Sequence, residues 1–138
     1  MVKYLLDTSV WFLLSQEPDR LPTKCLQLAR TEAELGLSCV SLREIAWKQA
    51  QGKLDLGKPL LAWLSTALTP QIRLLTITPE VAADSATLPH FPNKDPYDQM
   101  IVATARQNNL TIISNDDAWK NYAGAQILYF KPAAPKTT

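Results

Sequence analysis

The sequence predicts an α/β domain built around a central, mostly parallel sheet. Three observations predict it. Short apolar runs alternate with helix-like segments, and the stretches between successive runs are too long for hairpins. The 138 residues are 46% hydrophobic and 20% charged, the balance of one folded domain with a core. We expect that domain to span residues 1–130, followed by a flexible tail over 131–138, where Pro132 and Pro135 interrupt any regular element.

The elements follow in order. Val2 to Leu6 is apolar and partly β-branched, a first strand that ends at Asp7-Thr8, either of which can cap a helix. Val10 to Leu14 reads as a short buried helix stopped near Glu17-Pro18. Pro22 sits at a first-turn position and opens a second helix to about Glu34, with Cys25, Leu26, Leu28 and Ala29 as its apolar stripe. After Gly36, Leu37 to Val40 is the second strand. Ser41 starts a helix closed by Gly52, and Pro59 opens another that carries Trp63. Ile72 to Ile77 is the third strand, and Thr78-Pro79 is a cap followed by a first-turn proline. Pro89 and Pro92 make Leu88 to Lys94 a rigid loop. Asp95-Pro96 repeats the cap signal for a helix to about Asn108, whose Met100 to Ala105 run is apolar nearly all round and therefore expected to be buried. Leu110 to Ile113 is the fourth strand, Asp116 to Lys120 a helical turn, and Ile127 to Phe130 the last strand.

Scarcity narrows the chemistry. One His and two Cys cannot supply a His/Cys zinc site with ligand spacing, and a His-oriented catalytic triad would depend wholly on His90. The four glycines stand apart, so no phosphate-cradling loop or dinucleotide fingerprint is present. Two cysteines do not make a disulfide framework, and Met1 to Val10 is neither a signal peptide nor a membrane span, so a cytoplasmic protein with no membrane association is expected. A net charge of +1 argues against holding nucleic acid by bulk charge, although a local basic patch is compatible with it. The remaining candidates for working groups are the thirteen carboxylates.

Four of these fall where an α/β fold binds ligands, beyond the carboxyl ends of its strands. Asp7 follows the first strand, and Glu44 lies in the first turn of the helix after the second. Asp98 is in the first turn of the helix begun by Asp95-Pro96, and Asp116 follows the fourth strand. Each also has an ordinary explanation. Asp7 can cap a helix, Ser41-x-x-Glu44 can be a capping box, Glu44 can pair with Lys48, and Asp116-Asp117 can be a solvated loop pair. Against these stands the apolar setting of Asp7, between Tyr4-Leu5-Leu6 and Val10 to Leu14, and of Asp98 beside Met100 to Ala105. Converging, partly buried carboxylates repel one another and require a cation, and an all-oxygen set suits Mg²⁺ or Mn²⁺.

The ordered series Tyr4-Leu5-Leu6-Asp7-Thr8-Ser9, Val40-Ser41-Leu42-Arg43-Glu44-Ile45-Ala46, Gly52-Lys53-Leu54, Lys94-Asp95-Pro96-Tyr97-Asp98-Gln99-Met100-Ile101 and Ile112-Ile113-Ser114-Asn115-Asp116 resembles the PIN-domain ribonucleases, specifically the VapC-like toxins of type II toxin–antitoxin modules. The resemblance runs from Tyr4 to about Phe130. It implies a three-layer α/β/α domain and a four-acid site at Asp7, Glu44, Asp98 and Asp116 that binds divalent metal. It also implies a small polar residue two before the last acid, here Ser114. Differences fall on the basic rim: Asn93-Lys94 and Gln99 replace a His-basic pair and an Arg, and His90 is out of register.

The resemblance implies RNA phosphodiester hydrolysis, a homodimer, and a cognate antitoxin whose tail blocks the acids. We expect Asp7 and Asp98 to be direct ligands of Mg²⁺, with Mn²⁺ as a substitute. Glu44 and Asp116 would act directly or through water, and Asp117 is a neighbour in a supporting role. Arg43, Lys48, Lys53 and Lys94 flank the acids as RNA-phosphate contacts or as solvated charges. Trp11, Trp47 and Trp119 are expected mainly in the core or an interface. The alternatives are a PIN nuclease outside a toxin module, such as an RNA-processing enzyme, and a non-catalytic PIN-like scaffold. A phosphotransfer domain would want a second acid beside the first strand's aspartate, and Thr8-Ser9 lack it.

Overall fold

The computed structural model describes residues 1–135; the last three positions of the expected tail lie outside the described residues. Five strands form one sheet in the order β3-β2-β1-β4-β5. They are β1 (Tyr4–Leu6), β2 (Leu35–Ser38), β3 (Ile72–Leu75), β4 (Thr111–Ser114) and β5 (Ile127–Tyr129). Every pairing is parallel, with Leu6 opposite Leu37 on one side and Ile113 on the other. The order reverses at β1, whose neighbours β2 and β4 lead away in opposite directions. The crevice beyond the carboxyl ends of β1 and β4 is therefore the position where such a sheet opens for a ligand.

The helices are α1 (Thr8–Gln16), α2 (Thr23–Thr31), α3 (Val40–Ala50), α4 (Leu60–Ala67), α5 (Pro79–Ser85) and α6 (Pro96–Gln107). Strand periodicity divides the core into two layers. Leu6, Leu35, Leu37 and Ile113 face a cluster with Val10, Trp11, Cys25, Ala29, Ile45 and Trp63. Leu5 and Ile112 face the other side, against Ile101, Val102, Ala105 and Trp119. Adjacent residues thus project to opposite faces, and β2 is buried along its whole length, as a parallel strand covered on both sides must be. The run Ile101 to Ala105 is fully buried, which accounts for the loss of a polar face on α6. Among the described residues no helix is long and apolar enough to cross a membrane.

Several expected boundaries move. The first helix is longer than Val10 to Leu14, beginning at Thr8 and ending at Gln16. The second strand includes Gly36, which was expected to precede it. A Cβ on Gly36 would meet Val2 Cγ1 at 3.1 Å and the Tyr4 carbonyl oxygen at 3.2 Å, so the glycine permits a close backbone approach inside the strand. The caps read from Thr78 and Asp95 form: Thr78 Oγ1 accepts from the Val81 N–H, and Asp95 accepts from the Tyr97 and Asp98 N–H groups. The Ser41–Glu44 capping box does not. The helix begins one residue before Ser41, which leaves Ser41 inside the first turn and frees both side chains for other partners. After β5 the chain returns to the turn at Pro18–Arg20, where the Ala133 N–H donates to the Arg20 carbonyl and Arg20 Nε donates to the Ala133 carbonyl.

Candidate active site

Asp7 is the first residue after β1, and its N–H still donates to Ile113 O across the sheet at 3.0 Å. That backbone bond holds the residue at the crevice while the chain turns into α1. Asp7 occupies the N-cap position, yet its side chain makes no capping bond. Its buried carboxylate instead accepts from the Ser114 hydroxyl, Oγ to Oδ2, at 2.9 Å, and more weakly from Ser9 at 3.5 Å. Ser9 in turn donates to Asn115 Oδ1. The ordinary capping explanation for Asp7 therefore fails, because the carboxylate points toward β4.

Ser114 bridges two acids. It donates to Asp7 and accepts the Asp116 N–H at 3.0 Å, which fixes the turn carrying Asp116. Asp116 Oδ1 accepts from the Ala118 N–H at 2.9 Å, capping the short helical turn Asp117–Trp119. Asp117 is exposed, and its Oδ1 accepts from the Tyr129 hydroxyl.

Glu44 is buried on α3. Its Oε2 lies 3.0 Å from Lys48 Nζ, while Oε1 is buried without a hydrogen-bond partner. Helix α3 is held to α1 by a side-chain hydrogen bond between the buried Thr8 and Ser41 hydroxyls at 2.7 Å. On the far wall, Asp98 Oδ2 accepts from Asn93 Nδ2 at 3.0 Å. Asn93 Oδ1 accepts the Asp95 N–H at 2.9 Å, so one amide braces both the helix entry and the acid.

These groups line one cleft of about 230 Å³, formed by Asp7, Ser9, Glu44, Lys48, Asp95, Asp98, Asn115 and Asp116. All four acids expected at the strand and helix ends are among them. Of the basic residues, Lys48 lines the cleft. Arg43 and Lys94 are exposed and are not among the lining residues, and Lys53 lies over the Trp47 ring, 4.9 Å from its centroid. Trp11 and Trp119 are core residues, whereas Trp47 is 38% exposed. Asn93, Ser9 and Asn115 were not singled out from sequence. The sequence reads Asn93 only as a replacement on the basic rim, whereas its amide faces Asp98. The available signal was its place two residues before an N-cap aspartate.

Crowding sets the electrostatics. Burial pushes Asp7 up to about 7, and the charges of Glu44 and Asp116 add to the shift, which the Ser114 hydroxyl only partly opposes. Asp98 also rises to about 7 through burial and the charges of Asp95 and Asp7, with the Asn93 amide opposing. Burial alone would lower the Lys48 ammonium, but Glu44 beside it and Asp7 and Asp98 behind hold it above the usual lysine range. A hard divalent cation fits this donor set: the lining is oxygen-rich, one Glu44 oxygen is buried and unpaired, and burial raises two of the carboxyls to about 7. Among the described residues no three His, Cys, Asp or Glu side chains stand as a ready-made ligand trio.

The sequence matches the PIN domain family over residues 4–125. The chain belongs to the PIN-domain family. This PIN domain is 35% identical over 116 residues to Ribonuclease VapC22 of Mycobacterium tuberculosis, covering 84% of the chain and 88% of the relative. Among solved structures it shares its fold with DNA-bound VapBC from Salmonella typhimurium, with TM-score 0.72, 18% identity, and coverage of 94% and 98% of the two chains. VapBC2 from Rickettsia felis bound to a promoter DNA fragment gives TM-score 0.71 at 14% identity, covering 94% and 99%. The match to this family carries the three-layer α/β/α architecture expected from the resemblance, and the sheet of this PIN domain is parallel throughout.

Proposed function

We propose that this PIN domain is a divalent-metal-dependent endoribonuclease that hydrolyses RNA phosphodiester bonds, acting as the toxin of a type II toxin–antitoxin pair. The observation that carries the reading is the convergence of Asp7, Glu44, Asp98 and Asp116 on one cleft at the point where strand order reverses. The 35% identical ribonuclease relative supports the same chemistry.

Asp7 and Asp98 are the direct ligands in this reading, because burial raises both carboxyls and, whereas Glu44 pairs with Lys48, a cation would relieve these two. A bound Mg²⁺ or Mn²⁺ would lower the pKa of an attacking water and offset charge on the phosphoryl oxygens. Ser114 holds the Asp7 carboxylate in place, and Asn93 does the same for Asp98. Glu44 and Asp116 orient water or complete the coordination. Arg43, Lys53 and Lys94 extend the contact along the RNA backbone, where each neutralised phosphate releases counterions and makes binding salt-dependent.

The partner proposals rest on the same reading. An antitoxin would cover the cleft, and a second copy of the chain would pair with this one. Leu61, 76% exposed, and Leu74, 43% exposed, supply apolar surface for such contacts. Co-expression tests the toxin assignment. Expression of this chain alone should arrest growth, and the product of an adjacent small reading frame should bind it and restore growth. Harmless expression with no neighbouring binder would leave an RNA-processing nuclease.

A further inference from the structure

The acid cleft contains a cation of its own. Lys48 follows Glu44 by one turn of α3 and lines the cleft with Asp7 and Asp98. A Glu–Lys pair at this spacing on an open helix surface contributes little, because water screens it. This pair is different in kind, since the Glu44 side chain is 6% exposed and Lys48 Nζ stands 3.0 Å from Oε2, with Oε1 buried and unpaired. A carboxylate taken that far out of water must be neutralised, and Lys48 is the group that does so. The lysine side chain is itself 35% exposed and carries its charge on a flexible four-carbon stem, so it has a route back to solvent.

We propose that Lys48 is the resident counter-cation of the cleft: its ammonium neutralises Glu44 while no divalent ion is bound, and it withdraws from Glu44 when one enters. The inference rests on the reading of the cleft as a metal site. Metal and ammonium then compete for the same negative field, so Lys48 sets metal affinity as well as the stability of the metal-free chain. It is a positioning residue, acting through Glu44, and this role differs from a direct contact with RNA phosphate.

Thermal unfolding in EDTA and calorimetric titration with Mn²⁺ test this on the full chain and on Lys48→Met, Lys48→Arg and Glu44→Gln/Lys48→Met. Lys48→Met should melt several degrees lower in EDTA, and the double variant should recover most of that loss. Lys48→Met should bind Mn²⁺ about tenfold more tightly than the wild type, while Lys48→Arg, which keeps the charge, stays near it. Should Lys48→Met not fold, Lys48→Gln carries the same comparison. Wild-type Mn²⁺ binding with Lys48→Met no tighter, or unchanged melting in EDTA, overturns the proposal and leaves the metal site standing. Weaker RNA binding with unchanged Mn²⁺ affinity makes Lys48 a phosphate contact and also overturns it. A wild type that binds no Mn²⁺ removes the metal reading itself.

Discussion

The Ser114 hydroxyl donates to Asp7 Oδ2 at 2.9 Å, joining the ends of β4 and β1 across a sequence separation of 107 residues. Since the same oxygen accepts the Asp116 N–H, one small side chain sets the placement of two acids. Replacing Ser114 with Ala removes the donor that most opposes protonation of Asp7. The variant should lose roughly 10- to 100-fold in metal affinity, as expected for a residue orienting a ligand, and its pH–activity profile should shift to higher pH. Titration with Mn²⁺ and a pH–rate series check both effects.

A second prediction concerns pH and stability without metal. Asp7 and Asp98 have folded-state values of about 7, above the ordinary 3.8, so between these values the folded chain holds more protons than the unfolded one. Stability of the metal-free protein therefore falls as pH rises through this window, by on the order of 2–4 kcal/mol between about pH 5 and pH 8. Saturating Mn²⁺ should flatten the slope, because the ion takes the place of the protons. Urea unfolding at several pH values, in EDTA and in Mn²⁺, measures it.

Metal binding should show the reverse dependence. Below about pH 7 the ion must displace protons from Asp7 and Asp98, so affinity weakens as pH falls, and binding near pH 6 releases protons. Calorimetry in buffers of different ionisation enthalpy counts them.

Asn93 braces Asp98 from outside the acid set. Asn93→Ala should cost about 10-fold or more in metal affinity with little change in melting temperature, since the loop it occupies is at the surface. Asn93→Asp should be worse, because it sets a second negative charge against Asp98. Mn²⁺ affinity and melting temperature, measured together, separate this from unfolding.

Behind the cleft, Thr8→Val leaves the buried Ser41 hydroxyl without its partner and should destabilise the chain by about 1–3 kcal/mol. Adding Ser41→Ala should restore much of the loss, and denaturant unfolding of the three variants checks the cycle.

Much of this was legible in the sequence because the relevant signals are local. Apolar runs bounded by Asp-Pro or Thr-Pro mark where α5 and α6 begin, and both caps form as those dipeptides suggest. The four acids were legible by position, since strand ends and helix starts meet at one edge of a parallel sheet. Contacts set by tertiary packing were hidden. Ser41-x-x-Glu44 reads as a capping box, but starting α3 at Val40 turns Ser41 toward Thr8 and Glu44 into the cleft. Asn93 reads as part of a basic rim, and only the return of the loop before α6 shows its amide on Asp98. The Glu44–Lys48 pair is legible from its one-turn spacing and forms, but only the fold shows that Glu44 is buried there.

Cleavage of an RNA substrate by the purified chain with Mg²⁺ or Mn²⁺, compared with Asp7→Asn and Asp98→Asn, tests the central claim most directly. The account predicts cleavage by the wild type that EDTA abolishes, with both variants folded and slower by about 100-fold or more. Equal cleavage by all three proteins, or wild-type cleavage unaffected by EDTA, would contradict it.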